Sequence, residues 1–259
     1  MAEETAAPEG AGRTGALPDP DGWPGAERRE PAISDRHYLS LGALSRALHA
    51  EIARTLRGRR GLRVLDVGCG CKPYYPFLVP YASEYRGLDA HPGPQVDDLG
   101  TVAALPYDDA SFDVVLCTQV LEHVEDPLGA VREIARVLAP GGVVFLSTHG
   151  VFLYHPDPVD YWRWTHAGLE RLFSDAASWS EVQVTPNGEA IACIGYLTCQ
   201  YLDELGRRLR SDVLRRAMLR TVNTLAARLD ERFPPRARGG APGSLSSNYL
   251  VSAVRDRSR

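Results

Sequence analysis

The first residues with the types and spacing for chemistry are Asp66, Gly68 and Gly70, which follow a run of branched apolar residues. Such a run suits a strand buried on both faces. Glycines permit positive φ and carry no side chain, so a ligand can approach their backbone closely. Asp89 stands nineteen positions after Gly70, where a carboxylate can accept both hydroxyl protons of a ribose. Together these residues predict a site for a nucleotide-type cofactor.

The glycine turn alone does not distinguish between NAD enzymes, flavoenzymes and methyltransferases. The third glycine of the dinucleotide pattern is missing, because Cys71, Lys72 and Pro73 follow Gly70. This departure disfavours a pyrophosphate seated on a helix N-terminus. The Gly-Lys-Ser/Thr ending of a phosphate loop is also missing from this turn.

Three further segments follow in order, at 105–115, 119–124 and 137–143. With the glycine turn and Asp89 they resemble the class I S-adenosylmethionine-dependent methyltransferases, over about residues 63–148. The chain looks most like a bacterial branch with Gly-Cys-Gly-x-x-Pro-Tyr and Asp-Tyr-Trp-Arg-Trp-Thr motifs. The resemblance implies methyl transfer from S-adenosylmethionine.

The resemblance also implies which residues bind S-adenosylmethionine: Asp66, Gly68, Cys69, Gly70, Asp89, Ala90, Thr101, Val102, Gln119 and His123. The glycine loop would surround the methionine portion, Asp89 the ribose, and Ala90 the adenine. Gln119 would face the methionine amine, and His123 the sulfonium side of the pocket. Thr101 stands where the family usually has an aspartate for the adenine amino group.

The segment 149–164 follows the fifth strand of this pattern and contains two histidines, two carboxylates and five aromatic residues. Ligands of open α/β sheets lie beyond the carboxyl ends of the strands, so the methyl acceptor is expected here. A hydroxyl or ammonium acceptor must lose a proton. His155 is the first candidate base, oriented by Asp160 or Asp157, and His149 is the second.

The candidate substrate-binding residues are Tyr38, Tyr154, Asp157 and Trp164. A structural reading of the same segment is that Asp160, Arg163 and Trp164 form a corner before a helix capped by Thr165. The polar groups of the segment suit a divalent metal as well. Their spacing does not require one, and no metal is predicted.

The elements that position these residues are predicted from periodicity. Strands are predicted at 63–67, 84–89, 112–118, 143–148, 181–185 and 248–254, and helices at 34–56, 128–138 and 165–173. Alternation of strands and helices predicts an α/β fold with a parallel sheet. The resemblance implies a Rossmann-like, doubly wound sheet of seven strands with the last strand antiparallel. Ser34 is the predicted N-cap of the first helix.

The predicted organisation is a disordered tail at 1–32 followed by a single domain at 33–259. Within the domain we expect a cap helix at 33–60 and a cofactor-binding core at 61–189. A helical insertion at 190–236 would form a lid or a dimer arm, and the last strand would lie at 247–255. A homodimer through the 190–233 helices is therefore a candidate assembly.

Composition narrows the class of protein. The chain has 259 residues, 44% of them hydrophobic, and a net charge of −4, which does not indicate a broad surface for nucleic acid. Neither a membrane span nor a secretory signal is recognisable. Five cysteines without a framework spacing read as free thiols, so the cytoplasm is the expected location.

The leading hypothesis is methyl transfer to an oxygen or nitrogen of a small molecule, in bacterial natural-product, antibiotic or sugar biosynthesis. One alternative is a protein that binds S-adenosylmethionine without methylating anything. A less favoured alternative is a nucleic-acid methyltransferase, because the chain lacks that class's Asn/Asp-Pro-Pro-aromatic motif and a basic domain.

Overall fold

The computed structural model describes residues 17–156, 159–233 and 245–257. Within them, seven strands form one sheet in the order β3-β2-β1-β4-β5-β7-β6. The strands are β1 (Leu62–Val67), β2 (Ala82–Asp89), β3 (Asp98–Leu99), β4 (Phe112–Thr118), β5 (Leu138–His149), β6 (Trp179–Asn187) and β7 (Asn248–Arg255). The pairings from β3 to β5 are parallel, and β7 runs antiparallel to both β5 and β6. The predicted Rossmann-like sheet with an antiparallel last strand is confirmed.

Helices cover both faces of the sheet. They are α1 (Ala26–Arg29), α2 (Tyr38–Thr55), α3 (Tyr75–Leu78), α4 (Pro127–Val137), α5 (His166–Ala176), α6 (Ala190–Arg208) and α7 (Asp212–Arg232). Ile134 of α4 and Phe173 of α5 join the core on one face. Leu48 and Ile52 of α2 join the core on the other face. The central strands are therefore buried on both sides, as their branched apolar runs predict.

The helical part of the chain differs from prediction at the start of α2. Helix α2 begins at Tyr38 with His37 at its N-cap position, and Ser34 does not cap it. The preceding residues form a turn instead, in which the Asp35 amide donates to Ala32 O and Asp35 Oδ1 accepts from the His37 amide. The 190–233 stretch is a hairpin of two helices that breaks at Arg210, whose φ is 52°.

The segment 17–32 lies in the predicted disordered tail, but the structure places it against the domain. The Trp23 ring stacks on Tyr75 at 4.1 Å between centroids, and Trp23 Nε1 donates to Lys72 O at 3.0 Å. Tyr75 Oη donates to Pro18 O at 2.7 Å. The aromatic stack and these hydrogen bonds order a segment whose composition, rich in Ala, Gly, Pro and Glu, predicts disorder. Residues 1–16 of the predicted tail lie outside the described residues.

Across the described ranges, no helix is long and apolar enough to cross a membrane. The five cysteines are free thiols.

Candidate functional site

The carboxyl ends of β1, β2, β4 and β5 meet at one edge of the sheet, because these strands are parallel. The loops that follow them carry nearly all of the predicted site residues. The β1 and β2 loops form one half of this edge, which we call the donor side. The β4 and β5 loops form the other half, which we call the acceptor side.

On the donor side, the glycine loop has the backbone that the sequence predicts. Gly68 has φ of 65°, and a Cβ built there would lie 2.3 Å from Val120 Cγ2, so a larger residue does not fit. Gly70 has φ of 50°, and its amide donates to Asp89 Oδ2 at 2.9 Å. The other oxygen of Asp89 accepts from the His91 amide at 3.1 Å. The loop therefore holds the Asp89 carboxylate in a fixed orientation.

A cleft of about 390 Å³ opens beside this carboxylate. Gly70 and Asp89 line one side of it, while Pro24 of the N-terminal segment and the 91–96 loop line the rest. Cys69, the residue between the two glycines, is buried, and Ala90 is exposed directly after Asp89. The cleft presents the Asp89 carboxylate, the group that a ribose-bearing ligand requires.

Asp66 lies beneath the glycine loop and is buried. Its Oδ2 accepts a hydrogen bond from Tyr85 Oη at 2.8 Å. Burial raises the pKa of Asp66 to about 7, and the hydrogen bond from Tyr85 and the charge of Lys72 offset part of that effect. Lys72 is itself buried, pairs with Asp97 and has φ of 52°. Sequence reasoning did not assign Lys72 to the site, since a single lysine after a glycine turn carries no signature.

Thr101 and Val102, the two residues of the 101–102 pair predicted to bind the cofactor, differ in solvent exposure. Thr101 is exposed and forms an isolated β-bridge with Ala104. The Val102 side chain is buried in the core with Leu88. Only the Thr101 side chain of this pair therefore faces solvent near the end of β3.

Gln119 follows β4 with φ of 57°, a conformation that non-glycine residues adopt rarely. Its amide donates to Ser147 O at 2.9 Å and its Nε2 donates to Ser147 Oγ at 3.0 Å. These two bonds fix the turn at the boundary between the donor and acceptor sides.

On the acceptor side, the structure brings His155 and Asp160 together. His155 Nδ1 lies 3.2 Å from Asp160 Oδ2, and Arg163 Nη1 and Nη2 both contact the same carboxylate at 2.6 Å. The guanidinium of Arg163 holds the pKa of Asp160 well below its usual range. Asp160 thus stays ionised and orients the His155 ring, while Arg163 anchors the loop. Asp157 lies outside the described residues.

His149 is less suited to act as a base. It is buried, its Nδ1 lies 2.8 Å from Asn248 Oδ1, and its ring stacks on Phe152 at 3.7 Å. Burial lowers the pKa of His149 to about 3, so the ring is neutral near pH 7. Its ring nevertheless lies 5.2 Å from that of His155, between centroids.

Glu122 is a residue of this side that sequence reasoning passed over. It lies in a 3-10 turn after β4 and is fully buried. Thr148 Oγ1 donates to Glu122 Oε2 at 2.9 Å, and His149 Nε2 lies 3.0 Å from Oε1. Burial raises the pKa of Glu122 to about 7. The sequence feature that could have indicated Glu122 as a site residue is its place beside His123, just after a predicted buried strand.

His123, in the same turn, presents its Nδ1 to Val159 O at 3.0 Å, and its ring lies 4.9 Å from the His155 ring. This predicted cofactor residue therefore sits on the acceptor side, next to the candidate base.

The candidate substrate residues are spread out. Tyr38 packs with Tyr196 in a small cluster, and Tyr154 is exposed. Trp164 packs against the core, and its amide donates to His149 O at 2.9 Å. Thr165 caps α5 by accepting from the Gly168 amide at 3.1 Å, as the structural reading of the segment predicts.

An aromatic wall that the sequence did not predict lies beside His149. Phe152 stacks on Tyr196 of α6 at 5.1 Å, and His37 lies 5.9 Å from Tyr196, between ring centroids. Helices α2 and α6 thus contribute to the acceptor side, although they are distant from it in sequence.

The sequence matches the methyltransferase domain family over residues 36–179, more than half of the chain. The chain belongs to this family. The match confirms the S-adenosylmethionine-dependent methyltransferase class to which the ordered motifs pointed, and it includes the donor side and most of the acceptor side.

Two curated relatives are ubiquinone biosynthesis O-methyltransferases. The protein from Aliivibrio fischeri (strain MJ11) is 33% identical over 112 residues, which cover 38% of this chain and 48% of the relative. The protein from Xanthomonas axonopodis pv. citri (strain 306) is 38% identical over 103 residues, which cover 34% of this chain and 43% of the relative. The chain thus spans about half the length of the curated relatives it matches.

Among solved structures, phosphoethanolamine N-methyltransferase 2 of Haemonchus contortus, in complex with S-adenosylmethionine, superposes with a TM-score of 0.53. It is 13% identical, and the match covers 89% of this chain and 59% of that chain. At this identity the likeness shows the fold alone.

Proposed function

We propose that this protein transfers a methyl group from S-adenosylmethionine to a hydroxyl oxygen of a small molecule. The observation that carries the proposal is the Asp89 carboxylate, held by the Gly70 amide at 2.9 Å beside an open cleft. The family match supports the reaction class, and the names of the curated relatives favour oxygen over nitrogen.

In this proposal the donor side binds the cofactor. Asp89 accepts the ribose hydroxyls, and the backbone of the glycine loop surrounds the methionine portion. Ala90 and Thr101 lie toward the adenine, and Gln119 faces the methionine amine. The cofactor supplies an activated methyl group, so the protein's task is to orient two reactants and exclude water.

The acceptor side then provides the base. Asp160 accepts from Nδ1–H of His155, which leaves Nε2 with the lone pair that takes the acceptor's proton. As the O–H bond breaks, the oxygen attacks the methyl carbon and the S–CH3 bond breaks. The products are a methyl ether, S-adenosylhomocysteine and protonated His155. His149 is not given this role, because burial lowers its pKa to about 3 and the ring therefore accepts a proton poorly.

The test is calorimetric titration of the protein with S-adenosylhomocysteine. We expect binding by the wild type and at least about tenfold weaker binding by Asp89→Ala, since charge-assisted hydrogen bonds to the ribose are lost. Asp108→Ala is the matched control, because Asp108 is exposed and precedes β4 at the opposite edge of the sheet. Equal affinity in Asp89→Ala and wild type would contradict the assignment of Asp89.

We propose bacterial natural-product or sugar biosynthesis as the setting. The acceptor would be a small molecule with polar groups and an apolar part that packs against the aromatic wall. A panel of hydroxylated sugars and hydroxylated aromatics, assayed with radiolabelled methyl donor, tests it. Cofactor binding without transfer to any member of the panel would favour the alternative of a non-methylating protein. Label transferred to DNA or RNA would favour the nucleic-acid alternative.

A further inference from the structure

Three metal-ligating side chains meet on the acceptor side: Glu122, His123 and His155. One ligand atom from each lies within 4.8 Å of those from the other two. Glu122 and His123 follow β4, while His155 is in the loop after β5. Glu122 is fully buried and both histidines are partly exposed, so the cluster has a closed base and an open side.

Both histidines have one ring nitrogen engaged by an oxygen that can only accept. His123 Nδ1 lies 3.0 Å from Val159 O. His155 Nδ1 lies 3.2 Å from the ionised carboxylate of Asp160 and 3.3 Å from Leu153 O. Each Nδ1 therefore carries the proton, and each Nε2 keeps a lone pair. Metal-binding histidines are oriented in this way by the acceptor on their other nitrogen.

Glu122 also has an oxygen without a partner. Oε2 accepts from Thr148 Oγ1, whereas the buried Oε1 has no hydrogen bond with any described residue. His149 Nε2 is 3.0 Å away, but the His149 Nδ1–H donates to Asn248 Oδ1, so Nε2 presents a lone pair. The buried Oε1 therefore lacks a donor among the described side chains, and it can hold either a proton or a cation.

We propose that Glu122, His123 and His155 bind one divalent transition-metal ion. One carboxylate and two imidazoles suit Zn²⁺, Mn²⁺, Fe²⁺ or Co²⁺ better than Mg²⁺ or Ca²⁺, which prefer oxygen ligands alone. Three protein ligands leave coordination positions open. Asp160 and Val159 O orient the histidines, and Thr148 orients the glutamate.

The consequence for catalysis rests on the function proposed above. An acceptor hydroxyl that fills an open position would become more acidic, as metal-bound water does. With the ion bound, His155 would be a ligand, the ion would activate the acceptor, and the released proton would pass to solvent. The base role of His155 described above then applies to the metal-free protein. If His155 acts as a general base, activation of the acceptor depends on His155 and not on Glu122. If a metal ion activates the acceptor, activation depends on Glu122 as well.

Metal binding is measured on full-length, untagged protein after chelator treatment. We expect one Co²⁺ per chain with visible absorption, displacement of that ion by Zn²⁺, and much weaker binding of Mg²⁺. Glu122→Gln and His155→Asn should each weaken Co²⁺ affinity more than about tenfold. The double variant His166→Asn/Glu170→Gln is the control, because it removes a partly exposed histidine–glutamate pair, 3.5 Å apart, from α5.

Circular dichroism shows whether each variant is folded, and His123→Asn serves if Glu122→Gln is not. Unchanged Co²⁺ affinity in a folded ligand variant, or equal losses in the control, would overturn the proposal. S-adenosylhomocysteine is titrated into the same chelated protein. Cofactor binding without metal binding overturns the metal site alone, and metal binding without cofactor binding overturns the proposed function alone.

Discussion

Asp66 couples folding to pH through its burial beneath the glycine loop. Its pKa rises from 3.8 to about 7 on folding, so the folded chain binds this proton more tightly than the unfolded chain. The stability from Asp66 is fully present below about pH 4 and is lost as pH rises through 7. The loss is on the order of 4 kcal/mol, since each pKa unit corresponds to about 1.4 kcal/mol.

Asp66→Asn should therefore remove this part of the pH dependence. The amide oxygen can still accept from Tyr85 Oη, and the variant should gain stability relative to wild type as pH rises from 5 to 8. Urea unfolding at the two pH values measures the difference, with Asp108→Asn as the exposed control. If the wild type and Asp66→Asn lose the same free energy of unfolding between pH 5 and pH 8, Asp66 does not titrate in this range.

At the residue scale, the sequence predicts best the groups that the backbone itself positions. Gly70 and Asp89 belong to consecutive strand ends, so parallel pairing brings them to 2.9 Å. Glu122 and Asn248 escape such reasoning, because their roles depend on contacts across the sheet with His149. Periodicity predicts which helix or strand a residue belongs to. It does not predict which side chain that residue contacts on a strand about a hundred positions away.

At the element scale, the N-terminal segment acts as a strap across the glycine loop. Trp23 stacks on Tyr75 and bonds to Lys72 O, while the neighbouring Pro24 lines the cleft. Removing the Trp23 ring should loosen the loop that orients Asp89. The strap thus links residues before the family match to the donor side.

Trp23→Ala should lower the free energy of unfolding by about 2 kcal/mol, less than the about 3–5 kcal/mol for a buried aromatic ring, because Trp23 is only partly buried. It should also weaken S-adenosylhomocysteine binding, because the cleft loses a wall. Trp23→Phe keeps the stack and loses only the hydrogen bond, so its cost should be about 1 kcal/mol. Urea unfolding and calorimetry measure both effects, and an Ala variant as stable as wild type would show that the strap is not anchored here.

Strands and helices can be predicted where the apolar pattern is long and a turn residue marks its end. The strands that became β1, β4 and β7 follow their apolar runs closely. β3 has only two residues, too few for any periodicity. The sequence does not locate the break between α6 and α7 at Arg210, because an arginine in a left-handed conformation has no compositional mark. The strap was missed because a tail rich in proline and glycine has no apolar periodicity, and its contacts with Tyr75 and Lys72 have no mark in the sequence.

At the scale of the whole molecule, the α6–α7 hairpin leaves apolar side chains in solvent. Val213 is 82% exposed and Tyr201 72%, and Ile194, Leu225 and Leu229 are exposed as well. The predicted homodimer through these helices remains a prediction that such side chains favour. Light scattering during gel filtration should give twice the chain mass of 28.4 kDa.

Val213→Asp should shift that mass toward the monomer, because an ionised side chain resists burial in an apolar interface. Val159→Asp is the control, since Val159 is also exposed but lies on the acceptor side. A monomeric wild type, or a dimer insensitive to substitutions on the hairpin, would exclude this interface.

The place of β7 in the sheet has a consequence for synthesis of the chain. β5 ends at His149, and the strand that covers its edge begins only at Asn248. At roughly 5–20 residues per second, a ribosome needs on the order of 5–20 s to make the intervening part. During that interval the apolar edge of β5 is open to wrong partners. A cell making this protein must shield the nascent chain for those seconds, so yield should depend on chaperone supply at this late stage of translation.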